Sequence, residues 1–113
     1  MGNMTAGPHR PAAWAILEQA LTDKRPVRAR YRGSERVLCP HALGWKHGRP
    51  KVLSYQSGGT TSQGPLSPGP QAWRSMFIDE IEDLTITDTP WQTAANFSHG
   101  SNCFDVVEIA LDH

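Results

Sequence analysis

Positive charge is absent from the last third of this 113-residue chain, because no lysine or arginine follows Arg74. Residues 1–78 hold all 11 basic residues and only three acids, whereas residues 79–113 hold eight acids and no base. The net charge of zero is therefore the sum of a basic segment, residues 1–78, and an acidic segment, residues 79–113. Such asymmetry indicates either an electropositive surface that meets an anion, or an acidic segment that packs over the basic half.

Long apolar runs and cysteines are also scarce. No stretch approaches the roughly 18 apolar residues of a membrane span. Residues 1–10 lack the basic-then-apolar order of a signal peptide, and we expect a disordered leader there. Two cysteines, Cys39 and Cys103, are too few for a disulfide framework. These absences predict one domain in a reducing, cytoplasmic environment, without membrane association.

Motifs of catalysis and metal binding are missing as well. The chain has no G-x-S-x-G, no P-loop and no G-x-G-x-x-G. Its five histidines are scattered, with no pair at metal-ligand spacing. The acids of residues 79–83 lack the spacing of a calcium loop. We therefore expect a protein that is not an enzyme and that needs no cofactor and no metal.

The residue spacing predicts one helix followed by strands. Apolar residues at helical spacing predict a helix from Pro11 to Leu21. The predicted strands are Pro26–Arg32, Arg36–Trp45, Lys51–Gln56, Ala72–Ile78 and Glu82–Thr87. Residues 57–70, with four glycines and three prolines, are predicted to form a mobile loop. We expect a mainly β fold with an N-terminal helix: a small five-stranded antiparallel barrel over residues 11–91, then a linker and strand-like extension over residues 92–113.

This order of elements resembles the WYL domain of bacterial regulators over about residues 14–91. The stretch from Arg36 to Leu43 is similar to the family's R-x-V-x-P-x-x-L, and the stretch from Trp73 to Ile81 is similar to its W-R-x-F-R-L-D-R-I. Residues 50–52 depart from the eponymous Trp-Tyr-Leu, and Phe77 and Glu80 replace two arginines. The resemblance implies an Sm-like, SH3-type barrel that regulates a transcriptional or defence partner protein.

Arg74 is the first candidate for a ligand-binding residue. Period two places it on the strand face of Met76 and Ile78, which predicts that it lies at the mouth of the barrel. There its guanidinium group would hold a carboxylate or phosphate in two hydrogen bonds. The alternative is an internal ion pair with Asp79 or Glu82.

Other candidates surround this position in the predicted sheet. Arg28, Arg30 and Arg32 form a ladder with steps of roughly 6.5–7 Å, close to the spacing of phosphates in a nucleic-acid strand. The alternative is an ordinary solvated strand face. Tyr55 would offer a ring for base stacking, and His41 would line the mouth. For both, the alternative is structural packing.

These candidates predict a non-catalytic regulatory domain that senses a ligand or binds nucleic acid. The expected ligand is an anion such as a nucleotide or a short single strand, and a regulatory protein is an expected partner. The alternative is an interaction module without a ligand, in which Cys103–Leu111 pairs antiparallel into a homodimer. The first interpretation requires that the arginines stay clear of the protein's own carboxylates.

Overall fold

The computed structural model describes residues 11–61, 64–65, 73–93 and 104–111. It contains one helix, α1 (Ala12–Asp23), and seven strands: β1 (Val27–Tyr31), β2 (Ser34–Lys46), β3 (Arg49–Thr61), β4 (Gly64–Pro65), β5 (Trp73–Phe77), β6 (Ile81–Ile86) and β7 (Val106–Ala110). A 3-10 turn, Ile78–Glu80, joins β5 to β6. The predicted leader lies outside the described residues. A mainly β fold with an N-terminal helix is confirmed.

Helix α1 forms where the apolar spacing predicts it and covers one face of the sheet. Pro11 precedes its first turn, and Lys24 ends it in the left-handed conformation, with φ of 53°. Trp14 and Leu17 lie on its buried face, and the Trp14 ring stacks on that of Trp45 at 5.1 Å between centroids. Burial of such side chains contributes roughly 1.5–3 kcal/mol each.

The strands form one antiparallel sheet around the long β2–β3 hairpin. The order runs β6-β1-β2-β3, with β4 and β5 both paired to β3. β7 pairs with the second half of β2, on the edge whose first half holds β1. Within the described residues β5 is paired only with β3 and β6 only with β1, so the sheet is open.

Both faces of β2 are covered in its middle. Burial is continuous from Leu38 to Trp45, without the alternation of a one-sided strand. Leu38 and Leu43 contribute to the main core beneath α1, whereas Cys39 and Ala42 face smaller clusters on the other side. The pairing shifts register between Pro40 and Ala42, where the sequence predicts a bulge.

The predicted loop of residues 57–70 is wrong at its start, because β3 continues to Thr61. Gly58 and Gly59 pair with Val37 and Arg36 on β2. A Cβ atom at Gly59 would overlap the carbonyl oxygen of Glu35 and would lie 2.7 Å from Arg36 Cα. These glycines allow close approach of two strands, a role that glycine content alone does not distinguish from a loop. Of the rest of this stretch, only β4 is described.

Candidate functional site

Arg74 lies on the inner face of the sheet, which is the face that packs beneath α1. It alternates along β5 with Met76, which is 1% exposed and belongs to the main core. The strand register places Arg74 directly opposite Ser54 of β3. One of its guanidinium nitrogens, Nη1, donates a hydrogen bond to the Trp73 carbonyl oxygen at 3.0 Å. The sheet register thus agrees with the inward position that period two predicts.

A second arginine, Arg36, accompanies Arg74 on this face, and its role was missed from the sequence. Arg36 is only 3% exposed and alternates with the buried Leu38 on β2. Burial lowers the pKa of its guanidinium group, and the positive charges of Arg74 and Arg32 lower it further. Arg36 and Arg74 therefore lie on the same inner face of the sheet, on β2 and β5.

Tyr31 completes the surroundings of Arg36. The guanidinium carbon of Arg36 lies 5.2 Å from the centre of the Tyr31 ring, and that of Arg32 lies 5.1 Å from it. Burial, followed by the opposing effects of Arg32 and Glu80, raises the pKa of the Tyr31 hydroxyl. The phenol therefore remains neutral at physiological pH, and its ring face attracts the two cations.

Ser54 provides a buried hydroxyl group on the same face. It is fully buried and lies opposite both Pro40 of β2 and Arg74 of β5. Its Oγ has no hydrogen-bond partner among the described residues. Gln56, two residues further along β3, is also fully buried, and its Nε2 donates to the Gly58 carbonyl oxygen at 3.0 Å. Arg36, Arg74, Ser54 and Gln56 are thus the polar side chains at one end of this mainly apolar face. We call Arg36 and Arg74 the inner arginine pair.

The ladder of Arg28, Arg30 and Arg32 does not join this group. Arg28 and Arg30 lie on the outer face of β1, opposite the buried Val27, Ala29 and Tyr31, whereas Arg32 follows the strand in the left-handed conformation, with φ of 50°. Two of the three arginines contact carboxylates: Arg30 pairs with Glu82 at 3.3 Å and Asp83 at 2.5 Å, and Arg32 pairs with Glu80 at 3.5 Å.

These ion pairs form because β6 pairs with β1, so that the 3-10 turn and the start of β6 place the acids of residues 79–83 beside the ladder. The carboxylates considered as partners of Arg74 are thereby engaged elsewhere, since Asp79 pairs with Arg49 at 2.7 Å and Glu82 with Arg30. Hydrogen bonds to Arg49 and, to a smaller degree, the charge of Arg32 lower the pKa of Glu80. The row of positive charge expected from the sequence is therefore largely neutralised by the protein itself.

Tyr55 and His41 lie away from Arg74, on the opposite face of the sheet. Tyr55 packs with Cys39, Trp73 and Trp91. His41 is 1% exposed, and its ring stacks on Trp91 at 5.0 Å between centroids. Both residues therefore pack against other side chains, which was the alternative to ligand contact for each of them.

The hydrogen bonds of His41 fix its role in this outer cluster. Nδ1 lies 2.7 Å from the Cys39 carbonyl oxygen, which only accepts, so Nδ1 donates. Nε2 then accepts from the Thr93 hydroxyl at 2.8 Å. The imidazole ring holds residues 91–93 against the sheet. Burial raises the pKa of the adjacent Cys39 thiol, which makes it a poor nucleophile.

Comparisons with protein-family models, with curated proteins and with solved structures give no match to this chain. Within the described ranges, no three His, Cys, Asp or Glu side chains converge in a way that could hold a metal ion. Over the same residues, no helix has the length and apolar character needed to cross a membrane. The candidate site therefore depends on the geometry of the inner arginine pair.

Proposed function

We propose that this chain is a non-catalytic regulatory domain that recognises an anion, and that Arg74 and Arg36 bind this anion from the inner face of the sheet. The observation that carries the proposal is that Arg74 lies on the same inner face as the buried Arg36 and opposite Ser54, whose buried hydroxyl has no hydrogen-bond partner among the described residues. A guanidinium group can hold a carboxylate or phosphate in two hydrogen bonds, so two arginines on one face supply donors suited to an anion.

The wider context of the proposal comes from the resemblance to WYL domains. The resemblance implies that strands in the order β6-β1-β2-β3-β5, which form an open sheet over the described residues, belong to an Sm-like barrel with the polar group at its mouth. The ligand is then a nucleotide or a short single strand, and its binding in a bacterial cytoplasm regulates a partner protein. The inward position of Arg74, within the W-R-x-F-like stretch, supports this view.

A binding measurement tests the proposal. We expect AMP to raise the melting temperature of the wild-type protein in a concentration-dependent manner, with a gain of about 2.7 kcal/mol of stability at 100 times Kd. Arg74→Gln should weaken AMP binding at least tenfold, since a charge-assisted hydrogen bond contributes roughly 1.5–3 kcal/mol. Arg25→Gln is the matched control, because it removes one positive charge at an exposed ion pair with Asp88. Equal losses in the two variants would contradict the proposal.

A second candidate function, an interaction module, is favoured by β7. Val106 and Val107 are the large apolar side chains exposed on the described surface, at 55% and 41%. Within the described residues β7 is paired only with β2, so its other edge carries no described strand. Such an edge is suited to pairing with another chain, including a second copy of this one.

The close packing of β7 against Gly44 allows a test of whether β7 is the pairing strand. A Cβ atom at Gly44 would overlap the Val106 carbonyl oxygen and lie 2.8 Å from the Phe104 ring. Gly44→Ala should displace β7, and any dimer seen by analytical ultracentrifugation should then dissociate. Gly48→Ala, where a Cβ meets no atom within 4 Å but a φ of 75° disfavours alanine, is the control for a loss of stability without displacement of β7. A monomeric wild-type protein, or a dimer that survives in Gly44→Ala, would remove β7 as the pairing strand.

A further inference from the structure

The second half of β2 binds β7 along one edge, through backbone hydrogen bonds at both ends of the contact. The backbone N–H of Asp105 donates to the Trp45 carbonyl oxygen at 2.8 Å. At the other end, the N–H of Leu111 donates to the His41 carbonyl oxygen at 2.9 Å. β7 with its flanking residues thus binds as an added strand, a mode by which proteins recognise extended peptides. We call the edge that it occupies, residues 41–47, the β2 groove.

Phe104 is the apolar anchor of this contact. It is 7% exposed and packs with Ala42 of β2 and Leu53 of β3, on the side of the sheet away from α1. The missing side chain at Gly44 makes room beside it, since a Cβ atom there would lie 2.8 Å from the Phe104 ring and would overlap the Val106 carbonyl oxygen. The β2 groove therefore fits an aromatic side chain followed by a closely packed backbone.

Two carboxylates fix the position of the bound segment. Asp105 accepts a hydrogen bond from the His47 backbone N–H at 2.8 Å and lies 3.5 Å from the Lys46 ammonium group. The hydrogen bond from His47 and, to a smaller degree, the charge of Lys46 lower the pKa of Asp105. Glu108 accepts from the Trp45 indole N–H at 2.7 Å. The groove thus provides donors for an acidic segment of the form Phe-Asp-x-x-Glu.

The contacts of β7 with the groove are confined to one edge of the strand. Within the described residues β7 pairs with β2 and with no other strand, and Val106 and Val107 remain 55% and 41% exposed. Ile109 and Leu111 contact the main core as partly buried residues. Every copy of the chain carries both the groove and the segment, so a second copy offers the same contacts. Exchange of an identical element is a low-cost route to a dimer.

We infer that the β2 groove is a binding site for an extended segment of the form Phe-Asp-x-x-Glu, and that residues 104–111 of a second copy replace the chain's own β7 in it. The product is a dimer in which two copies exchange β7. This dimer uses the edge of β7 that faces β2, whereas the interaction module proposed above uses the opposite edge. The inference does not depend on the inner arginine pair.

A labelled peptide with the sequence of residues 104–111 tests the groove in the 113-residue chain. In the wild-type protein the tethered β7 competes at an effective concentration of roughly millimolar order, so we expect weak binding. Phe104→Ala in the chain weakens β7 and leaves the groove intact, so the peptide should bind this variant at least about tenfold more tightly than wild type. Asp105→Asn, a milder change in the same segment, should give a smaller gain. Equal affinity for all three chains would overturn the inference.

A mixture of two variants tests exchange between copies. The Phe104→Ala chain has a weakened segment and an intact groove, whereas the Gly44→Ala chain has an intact segment and a blocked groove. We expect each variant alone to be monomeric at concentrations where their equimolar mixture forms a heterodimer in analytical ultracentrifugation. Circular dichroism shows whether both variants fold. If Gly44→Ala does not, Trp45→Phe, which removes the indole donor to Glu108, takes its place.

The outcomes of the mixture separate this inference from pairing through the opposite edge of β7. Pairing of that kind needs β7 to be bound in both chains, so the mixture would not restore it. Absence of a heterodimer, even where the peptide binds the Phe104→Ala chain, would overturn exchange between copies. A dimer that forms as readily from Phe104→Ala alone would also contradict it, because no intact segment is then present.

Discussion

At the scale of single residues, two arginines of similar sequence context have opposite environments. Arg36 is buried beside Arg74, and both burial and that neighbouring charge lower its pKa. Arg30 lies on the outer face, where a hydrogen bond from its side chain to Glu82 raises its pKa. Arg30 therefore contributes to the fold, whereas Arg36 is held in an environment that disfavours its charge.

Replacement of Arg36 tests this distinction. A basic group with a lowered pKa opposes folding at every pH below that pKa, so the penalty is fully present at neutral pH. We expect Arg36→Met, which keeps an unbranched side chain but removes the charge, to leave the free energy of unfolding within about 1 kcal/mol of wild type or to raise it. The same variant should lose AMP binding. Urea denaturation measures the first quantity; a loss above about 2 kcal/mol would make Arg36 a structural residue.

At the scale of elements, much of the fold follows from local patterns. Helix α1 follows from apolar residues at helical spacing, and β1 from the strict alternation of arginines with Val27, Ala29 and Tyr31. The extension of β3 to Thr61 could not be predicted in this way, because Gly59 is required by a neighbouring strand rather than by its own sequence neighbours.

The residues of the candidate site differ in the same way, because some positions follow from local alternation and others depend on long-range contacts. The inward position of Arg74 follows from alternation with Met76, and the same alternation on β2 places Arg36 beside Leu38. The neutralisation of the ladder depends on the β1–β6 pairing, which brings Glu82 to Arg30 across 52 residues of chain. The packing of Tyr55 and His41 could not be predicted from the sequence, because residues 91–93 cover the outer face through a long-range contact.

Two glycines of positive φ, Gly59 in β3 and Gly33 in the turn between β1 and β2, provide a prediction at this scale. Gly59 and Gly33 have φ of 84° and 78°, but only Gly59 faces backbone atoms of a neighbouring strand where a Cβ would be. We expect Gly33→Ala to cost roughly 1–2 kcal/mol from strain alone. Gly59→Ala should cost clearly more, since β2 and β3 must separate. Chemical denaturation of both variants measures the difference, and equal costs would refute close approach as the reason for Gly59.

At the scale of the whole molecule, the two oppositely charged parts of the chain meet rather than remain apart. Residues 79–88 supply carboxylates to Arg25, Arg30, Arg32 and Arg49, and Asp105 lies 3.5 Å from Lys46. The charge asymmetry of the sequence therefore largely serves to form ion pairs on the outer surface, and these stabilise the fold. The inner arginine pair lies on the opposite face of the sheet from Arg28 and Arg30.

This view predicts a particular response to acid. Ion pairs lower the pKa of Glu80 in the folded state, so its contribution to stability is present above the unfolded value of about 4.3 and is lost as the pH falls through the lower, folded value. Glu80→Gln should therefore lower the melting temperature at neutral pH and reduce its fall in acid. The change should be small, because solvent screens exposed pairs. Melting temperatures of both proteins between about pH 3 and pH 7 measure it; curves that stay parallel throughout would contradict this role.

The most direct test of the central claim follows the arginine side chains themselves by NMR. Upon titration with AMP, the Nε–Hε signals of Arg36 and Arg74 should shift together with a single saturation curve, while that of Arg25 stays in place. If the signals of Arg28, Arg30 and Arg32 shift and those of Arg36 and Arg74 do not, the anion binds at the outer ladder and the inner arginine pair is not the binding site.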